Sequence, residues 1–293
     1  MSPSRRAVLA AVAASALAGC SRTADTAGGG PATPAAPDSP AGGGTPGPFP
    51  RATRATAPAV TRAQVVARYG HLRPRIWSLE TPGVVRALPT TERVIALTFD
   101  ACGGPGGSGY DRSLIDFLRR REVPATLFLN LRWIDANPAV FRKLAREPLF
   151  EIANHGTRHR PLSVTGRSAY GIAGTRSAGE VYDEVAGNHM KLTRSLGAPP
   201  RFFRSGTAYC DEIAARIVTD LGERFVGFSV NGDAGATFSP EEVRRAVTAA
   251  GAGSIVICHM NHPKGGTARG IAAAVPHLLA SGHRFVRLSD ALH

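Results

Sequence analysis

The sequence predicts an α/β fold built on a parallel sheet, open or closed into a barrel. Three observations carry that expectation. After about Val60, short apolar runs rich in Val, Ile and Phe recur along the chain, as buried parallel strands require. Segments with helix start and stop signals separate them, so the chain reads as roughly seven βα units. Several of the apolar runs end in a polar residue, and such folds place their chemistry at the C-terminal ends of the strands. With 293 residues, 43% of them hydrophobic, the chain can bury a sizeable core.

The first residues read as a targeting segment. Arg5 and Arg6 precede a short apolar run, Ala7–Gly19, which is too short to be retained as a membrane-spanning helix. Residues 1–20 end in Leu17-Ala18-Gly19-Cys20, which resembles a bacterial lipoprotein signal with Cys20 as the lipidated residue; Ser4-Arg5-Arg6-Ala7-Val8-Leu9 resembles, in part, a twin-arginine signal. Residues 21–60 are dominated by Gly, Pro, Ala and Thr without a periodic apolar face, the composition of a disordered tether. Residues 61–293 form the expected catalytic domain. The protein is therefore expected to be exported and lipid-anchored on the outer face of the cytoplasmic membrane, in the cell envelope.

Strands are expected at Val94–Phe99, Thr126–Leu129, Phe150–Ala153, Phe202–Arg204, Phe225–Val230, Ser254–Cys258 and Phe285–Leu288. Between them, Ser177 and Glu180 have capping-box spacing, and Val181, Val185, Leu192 and Leu196 form one stripe before Gly197. Ile213, Ile217 and Leu221 form another stripe closed by Gly222, and Ser239-Pro240 with Glu242 starts a third helix.

The strand ends carry Asp100, the segment Asn154-His155-Gly156-Thr157-Arg158-His159, Arg204, Asn231-Gly232-Asp233 and His259. On a helical turn the i,i+4 pair His155 and His159 would share a metal. A metal with an open position activates a water and polarises a carbonyl. Asp100 is placed to take a proton and His259 to give one, with Arg204 holding Asp100 ionised. The constellation suits metal-assisted hydrolysis of an amide or ester.

These residues resemble the polysaccharide deacetylases, carbohydrate esterase family 4. Thr98-Phe99-Asp100-Ala101-Cys102-Gly103 stands in place of the family's T-F-D-D-G, and His155–His159 matches its H-[ST]-x-x-H in spacing, with Thr157 one place late. Arg204-Ser205-Gly206-Thr207 followed by Tyr209 stands for R-x-P-aromatic; Asn231 and Asp233 compete for the fourth motif; Gly253–His259 matches the fifth. Val123–Leu129 also looks like the family's second strand. The resemblance implies a distorted (β/α) barrel of about seven parallel strands. It implies Asp100 as general base, Arg204 orienting it, His259 as general acid tuned by Asp233, and a backbone N–H near Thr207, with Tyr209 alongside, at the substrate's oxyanion. It implies a divalent metal, zinc or else cobalt or nickel, on His155 and His159, and removal of N-acetyl groups from peptidoglycan or a chitin-like oligomer.

Ala101 departs from the pattern, since the family's second Asp is its third metal ligand. The ligand could come from Cys102, whose thiolate binds zinc, or from Asp111 or His262. Otherwise two His and waters hold a weaker metal, or the metal is lost. Restoring the carboxylate with Ala101→Asp is expected to tighten metal binding. The alternative functions are a non-catalytic glycan-binding surface lipoprotein on the same fold and a hydrolase of another C–N amide or acyl ester.

The net charge is +13, but no long Lys/Arg run marks a nucleic-acid footprint, so nucleic acid is not an expected partner; a basic surface suits an anionic cell-wall polymer. The glycines Gly103–Gly109 lack a following GK[ST], which excludes a phosphate-binding loop. With Cys20 lipidated, Cys102 and Cys210 could pair in an exported protein, while Cys258 reads as core. His189, His277, His283 and His293 read as surface or helix residues, and Trp77 and Trp133 as core unless they stack on sugar.

Overall fold

Val94–Ala101 (β2) is buried along its whole length, and the rest of the sheet is arranged around it. In the computed structural model, which describes residues 58–293, the strands in chain order are β1 (Trp77–Ser78), β2, β3 (Ala125–Leu129), β4 (Phe150–Asn154), β5 (Phe202–Phe203), β6 (Cys210–Asp211), β7 (Arg224–Phe225), β8 (Val230–Asn231), β9 (Ile255–His259) and β10 (Arg284–Phe285). The helices are α1 (Arg62–Tyr69), α2 (Arg112–Arg120), α3 (Leu131–Ala136), α4 (Pro138–Leu144), α5 (Ala178–Leu196), α6 (Glu212–Asp220), α7 (Pro240–Thr248), α8 (Thr267–Ala280) and α9 (Leu288–Ala291). The signal segment, Cys20 and the tether up to residue 57 lie outside the described residues.

The main sheet runs β7-β5-β4-β3-β2-β9-β8, all parallel, with β10 paired to the start of β2. β1 and β6 form a separate antiparallel pair. The parity of β2 sorts its side chains. Ile95, Leu97, Phe99 and Ala101 pack in an apolar layer with Leu114 and Leu118 of α2 and Ile271 and Val275 of α8. Ala96 faces the other way, in a cluster with Phe128, Ala153, Phe202, Val226 and Ile255 from the neighbouring strands. That second cluster fills the concave side of a curled, open sheet, in the manner of a distorted barrel.

The expected strand Phe225–Val230 is two ladder fragments. β7 pairs with β5 and β8 with β9, at opposite edges of the sheet. The short link Val226–Ser229 crosses the seam: Val226 N–H donates to Phe203 O, Gly227 N–H to Val85 O and Ser229 N–H to Ile255 O. One segment joins both edges only because the sheet is curled. The expected strand Phe285–Leu288 is also shorter, since Leu288 begins α9.

The helix start at Ser239-Pro240 is as the sequence suggests, with Ser239 and Glu242 forming a reciprocal capping box; α6 is capped by Asp211, whose side chain accepts from Ala214 N–H. At Ser177 only half the box forms. Ser177 Oγ accepts from Glu180 N–H, but the Glu180 carboxylate turns back to the Arg176 backbone and guanidinium. Among the described residues, no helix is long and apolar enough to cross a membrane.

Candidate active site and metal centre

Asp100 lies at the end of β2 on the concave side, opposite in parity to Ala101. Arg204, just after β5, is fully buried, and its Nη1 donates to Asp100 Oδ1 at 2.8 Å and to Thr98 Oγ1 at 2.9 Å. Its Nε and Nη2 donate to the carbonyls of Val226 and Gly227 in the seam segment, and its guanidinium stacks 4.1 Å from the Phe128 ring centre. Burial alone would push the Asp100 carboxyl up; the Arg204 charge, with His155 and His259, outweighs it and holds Asp100 below the ordinary carboxylate range. Asp100 is thus an ionised carboxylate in a nearly dry site.

His155 and His159 meet, though not on a helical turn. They sit in the loop after β4, where Gly156 and His159 both adopt positive φ. Glu184 of α5 replaces the missing helix: Oε1 accepts from Arg158 N–H at 2.9 Å and from Arg160 N–H at 3.2 Å. A side chain at Gly156 would lie 2.5 Å from Glu184 Oε1, so this approach needs glycine. The imidazole centroids are 4.8 Å apart at 77°. His155 Nδ1 must donate to the Arg204 carbonyl at 2.9 Å, because a carbonyl only accepts. Nε2 therefore faces the site, 3.9 Å from Cys102 Sγ and 3.6 Å from Asp100 Oδ2, as expected for a metal-ligating His oriented by its other nitrogen.

Cys102 fills the gap left by Ala101. Among the described residues, the His, Cys and carboxylate groups close enough together to hold a metal are Cys102, His155 and His159, with ligand atoms within 4.8 Å of one another. Burial would raise the Cys102 thiol, but the His159 charge and hydrogen bonds from His155, His159 and His259 hold it well below its usual value. A thiolate and two imidazoles are a donor set suited to zinc. The other candidates lie elsewhere. Asp111 caps α2 through Leu114 N–H, and the His262 carbonyl closes a loop turn with Gly265 N–H. Nor do Cys102 and Cys210 pair: Cys102, Cys210 and Cys258 are all free thiols.

His259 ends β9 beside Asp100, with which it is in register. Asp233 holds it twice, Oδ2 accepting from the backbone N–H at 2.7 Å and Oδ1 meeting Nδ1 at 2.9 Å; Thr267 Oγ1 donates to Oδ2. Burial pulls the imidazole down, but Asp233 outweighs it and His259 is held well above its usual range. Asn231 instead uses its Oδ1 to accept from Ala234 N–H, so of the two it is Asp233 that reaches His259.

Asp100, His159, Thr207, Asn231 and His259 line one cavity of about 410 Å³, walled by Phe228 and Tyr170. Thr207 and Ala208 both have positive φ in a turn closed by Ala208 N–H to Ser205 O. Tyr209 stacks against Tyr170 and Trp77, each with centroids 5.7 Å away. Trp133 is buried and donates to Gly109 O, so it is core.

A family model for polysaccharide deacetylase matches residues 87–226. That segment is of the polysaccharide deacetylase type. The matched segment contains Asp100, Cys102, His155, His159 and Arg204, while Asp233 and His259 lie beyond it. Among solved structures, PdaA of Bacillus subtilis, a family 4 carbohydrate esterase, is 19% identical over 78% of this chain and 88% of that one, with TM-score 0.60. The Bc1960 peptidoglycan N-acetylglucosamine deacetylase is 22% identical over 71% and 92%, with TM-score 0.60. BA3943 of Bacillus anthracis, a CE4 family pseudoenzyme, is 20% identical over 69% and 66%, with TM-score 0.58. No curated protein matches the chain. These structures share the deacetylase fold.

The sequence reading missed three groups. Glu184 supports the His loop. His189, on α5 but buried, meets Glu223 Oε1 at 2.8 Å, and that same oxygen accepts from Asn154 Nδ2, fixing the end of β4 next to His155. Tyr170 walls the cavity. For the first two a signal existed: Glu184, Asn188 and His189 lie among the apolar stripe positions of α5, where a polar residue needs an internal partner.

Proposed function

We propose that the protein is a metal-dependent hydrolase that removes N-acetyl groups from a cell-wall or chitin-like polysaccharide. One observation carries the reading: across a single cavity, a carboxylate kept ionised by Arg204 faces an imidazole kept charged by Asp233, beside a Cys-His-His cluster. Cys102, His155 and His159 would hold the ion, zinc by donor chemistry and cobalt or nickel as further candidates. A divalent cation held there supplies a Lewis acid that polarises the acetyl carbonyl and lowers the pKa of a water.

The chain's own groups do the proton work. Asp100 accepts a proton from the attacking water as general base. His259, charged and oriented by Asp233, donates a proton to the amine nitrogen as the C–N bond breaks. The Thr207 backbone N–H, not engaged by the turn that Ala208 closes, is the candidate donor to the oxyanion. Arg204 acts through Asp100, keeping it ionised and aimed. The lipoprotein-like end at Cys20 supports an exported, lipid-anchored protein whose substrate is the glycan around it.

A second reading has one observation behind it. Ala101 leaves the site without the second aspartate of the family pattern, and BA3943, a pseudoenzyme, shares the fold. A glycan-binding protein, however, gains nothing from a buried Asp100–Arg204 pair and a charged His259 at the same cavity. Acetate release from N-acetylglucosamine oligomers and peptidoglycan, with zinc added or chelated, tests the proposal. Zinc-dependent release is expected; none from any acetylated glycan or ester, with the fold intact by circular dichroism, would overturn it.

A further inference from the structure

Tyr170 is held where folding gives it no advantage. It occupies the first central position of a two-residue hairpin turn, in which Ala169 and Ile172 exchange backbone hydrogen bonds at 3.1 and 2.9 Å. Tyr170 has φ 52° and Gly171 φ 75°, the type I′ geometry that favours Asn, Asp or Gly at both positions. A tyrosine there is strained, and 76% of it is exposed. Yet its ring walls the same cavity as Asp100 and His259.

The hairpin is built to keep that ring in place. At its base, Thr175 is buried, its Oγ1 donating to Ser163 O at 2.7 Å and accepting from Ser163 N–H at 2.8 Å. The buried Asp211 carboxylate accepts from Val164 N–H at 2.7 Å. Above the base, the Tyr170 ring meets the edge of Tyr209 at 78°, Tyr209 stacks on Trp77 at 32°, and the Arg167 guanidinium covers Trp77 at 5.5 Å. An aromatic row thus runs outward from the cavity mouth on a clamped hairpin. Strain of this kind is retained where function needs it, and an exposed aromatic ring continuous with the cavity suits the C–H face of a pyranose.

We infer that Tyr170 is a second sugar subsite: its ring stacks on the pyranose next to the one whose acetyl group enters the cavity, so the site reads an oligomer rather than a single sugar. The inference rests on the glycan reading above, but not on catalysis.

The test measures binding and stability together, by calorimetric titration of penta-N-acetylchitopentaose and of N-acetylglucosamine into the protein and by thermal melting. Tyr170→Gly relaxes the turn, so its melting temperature should stay level or rise, while affinity for the pentamer falls about tenfold relative to the monomer; Tyr170→Phe should bind like the wild type. Pentamer affinity unchanged in Tyr170→Gly, an equal loss for the monomer, or no pentamer binding by the wild type would each overturn the inference. A pentamer-specific loss in a protein that releases no acetate would leave the subsite standing and remove the hydrolase reading. Acetate release with no dependence of affinity on Tyr170 would do the reverse.

Discussion

Asp233 grips His259 at two points, accepting from its backbone N–H and pairing with its imidazole Nδ1 at 2.9 Å. The backbone bond fixes where the residue sits; the side-chain bond fixes its tautomer and charge. Nε2 is left to face the cavity, as a general acid requires.

On the proposed mechanism, this pair is expected to set the alkaline limit of activity. The folded value of His259 is raised well above 6.5, so the acid is present at neutral pH and lost as pH rises through that raised value. Asp233→Asn removes the largest raising influence and leaves burial, which lowers the value, opposed only by the smaller raising influence of Cys102. The alkaline limb of kcat should therefore move to lower pH, with kcat at neutral pH down by about 10²–10⁴-fold. The same sign governs stability: the contribution from the charged imidazole is complete below 6.5 and disappears as pH rises through the raised value. An alkaline limb unmoved in Asp233→Asn would show that another group supplies the proton.

Arg204 is the residue whose loss should cost most in stability. Arg204→Met strands an ionised Asp100 and leaves the Val226 and Gly227 carbonyls without their donor across the sheet's seam. Removing one partner of a buried pair costs about 3–5 kcal/mol, to be read from urea unfolding. Asp100→Asn keeps a hydrogen-bonding group beside Arg204 and should unfold nearer the wild type while losing activity. Equal stability of Arg204→Met and wild type would mean the pair is solvated in solution.

The Cys102 thiolate and the His155 Nε2 predict how metal is taken up. Zinc should bind at about one per chain, release protons on binding, and weaken as pH falls, because its ligands must be deprotonated. Cys102→Ser should weaken binding and His155→Ala abolish it. Unchanged zinc stoichiometry in His155→Ala would make the His pair structural.

Ala101 changes meaning once strand parity is known. The sequence alone suggests that a carboxylate here would complete the ligand set. In the structure Ala101 shares the outward parity of Ile95, Leu97 and Phe99 and is fully buried in the apolar layer. Ala101→Asp should therefore destabilise the protein by about 1–3 kcal/mol, an unpartnered polar group in a dry environment, and leave zinc affinity no tighter. A stable variant with tighter zinc binding would show that β2 can turn this residue inward.

What was legible in the sequence follows from its physics. Asp100, Arg204, Asp233 and His259 could be assigned to one face because each ends an apolar run, and parallel strands bring their C-terminal ends together. The partnering of His155 with His159 was legible, but its geometry was not: i,i+4 spacing implies a helix, whereas Gly156 and the left-handed His159 produce the same closeness in a loop. The seam was hidden because Phe225–Val230 is one apolar run whose halves pair with different edges, and pairing is a property of the whole sheet. Tyr170 was missed because a Tyr-Gly pair is a weak turn signal, and an exposed aromatic has no periodicity to betray it.

Glu184 offers the test that separates the support of the metal site from its ligands. It is buried, lies on α5 and has no part in the ligand cluster, yet its carboxylate accepts from Arg158 N–H and Arg160 N–H, the residues on either side of His159. Glu184→Ala leaves those N–H groups without acceptors and opens space beneath Gly156, so the left-handed His159 loses its support while its side chain is untouched. Groups that orient a ligand in this way are worth about 10–100-fold in metal affinity. Zinc affinity should fall within that range in Glu184→Ala, measured by competition with a chromogenic chelator. Glu184→Gln keeps one acceptor oxygen and should fall less. Wild-type affinity in Glu184→Ala would mean that metal binding alone sets the loop.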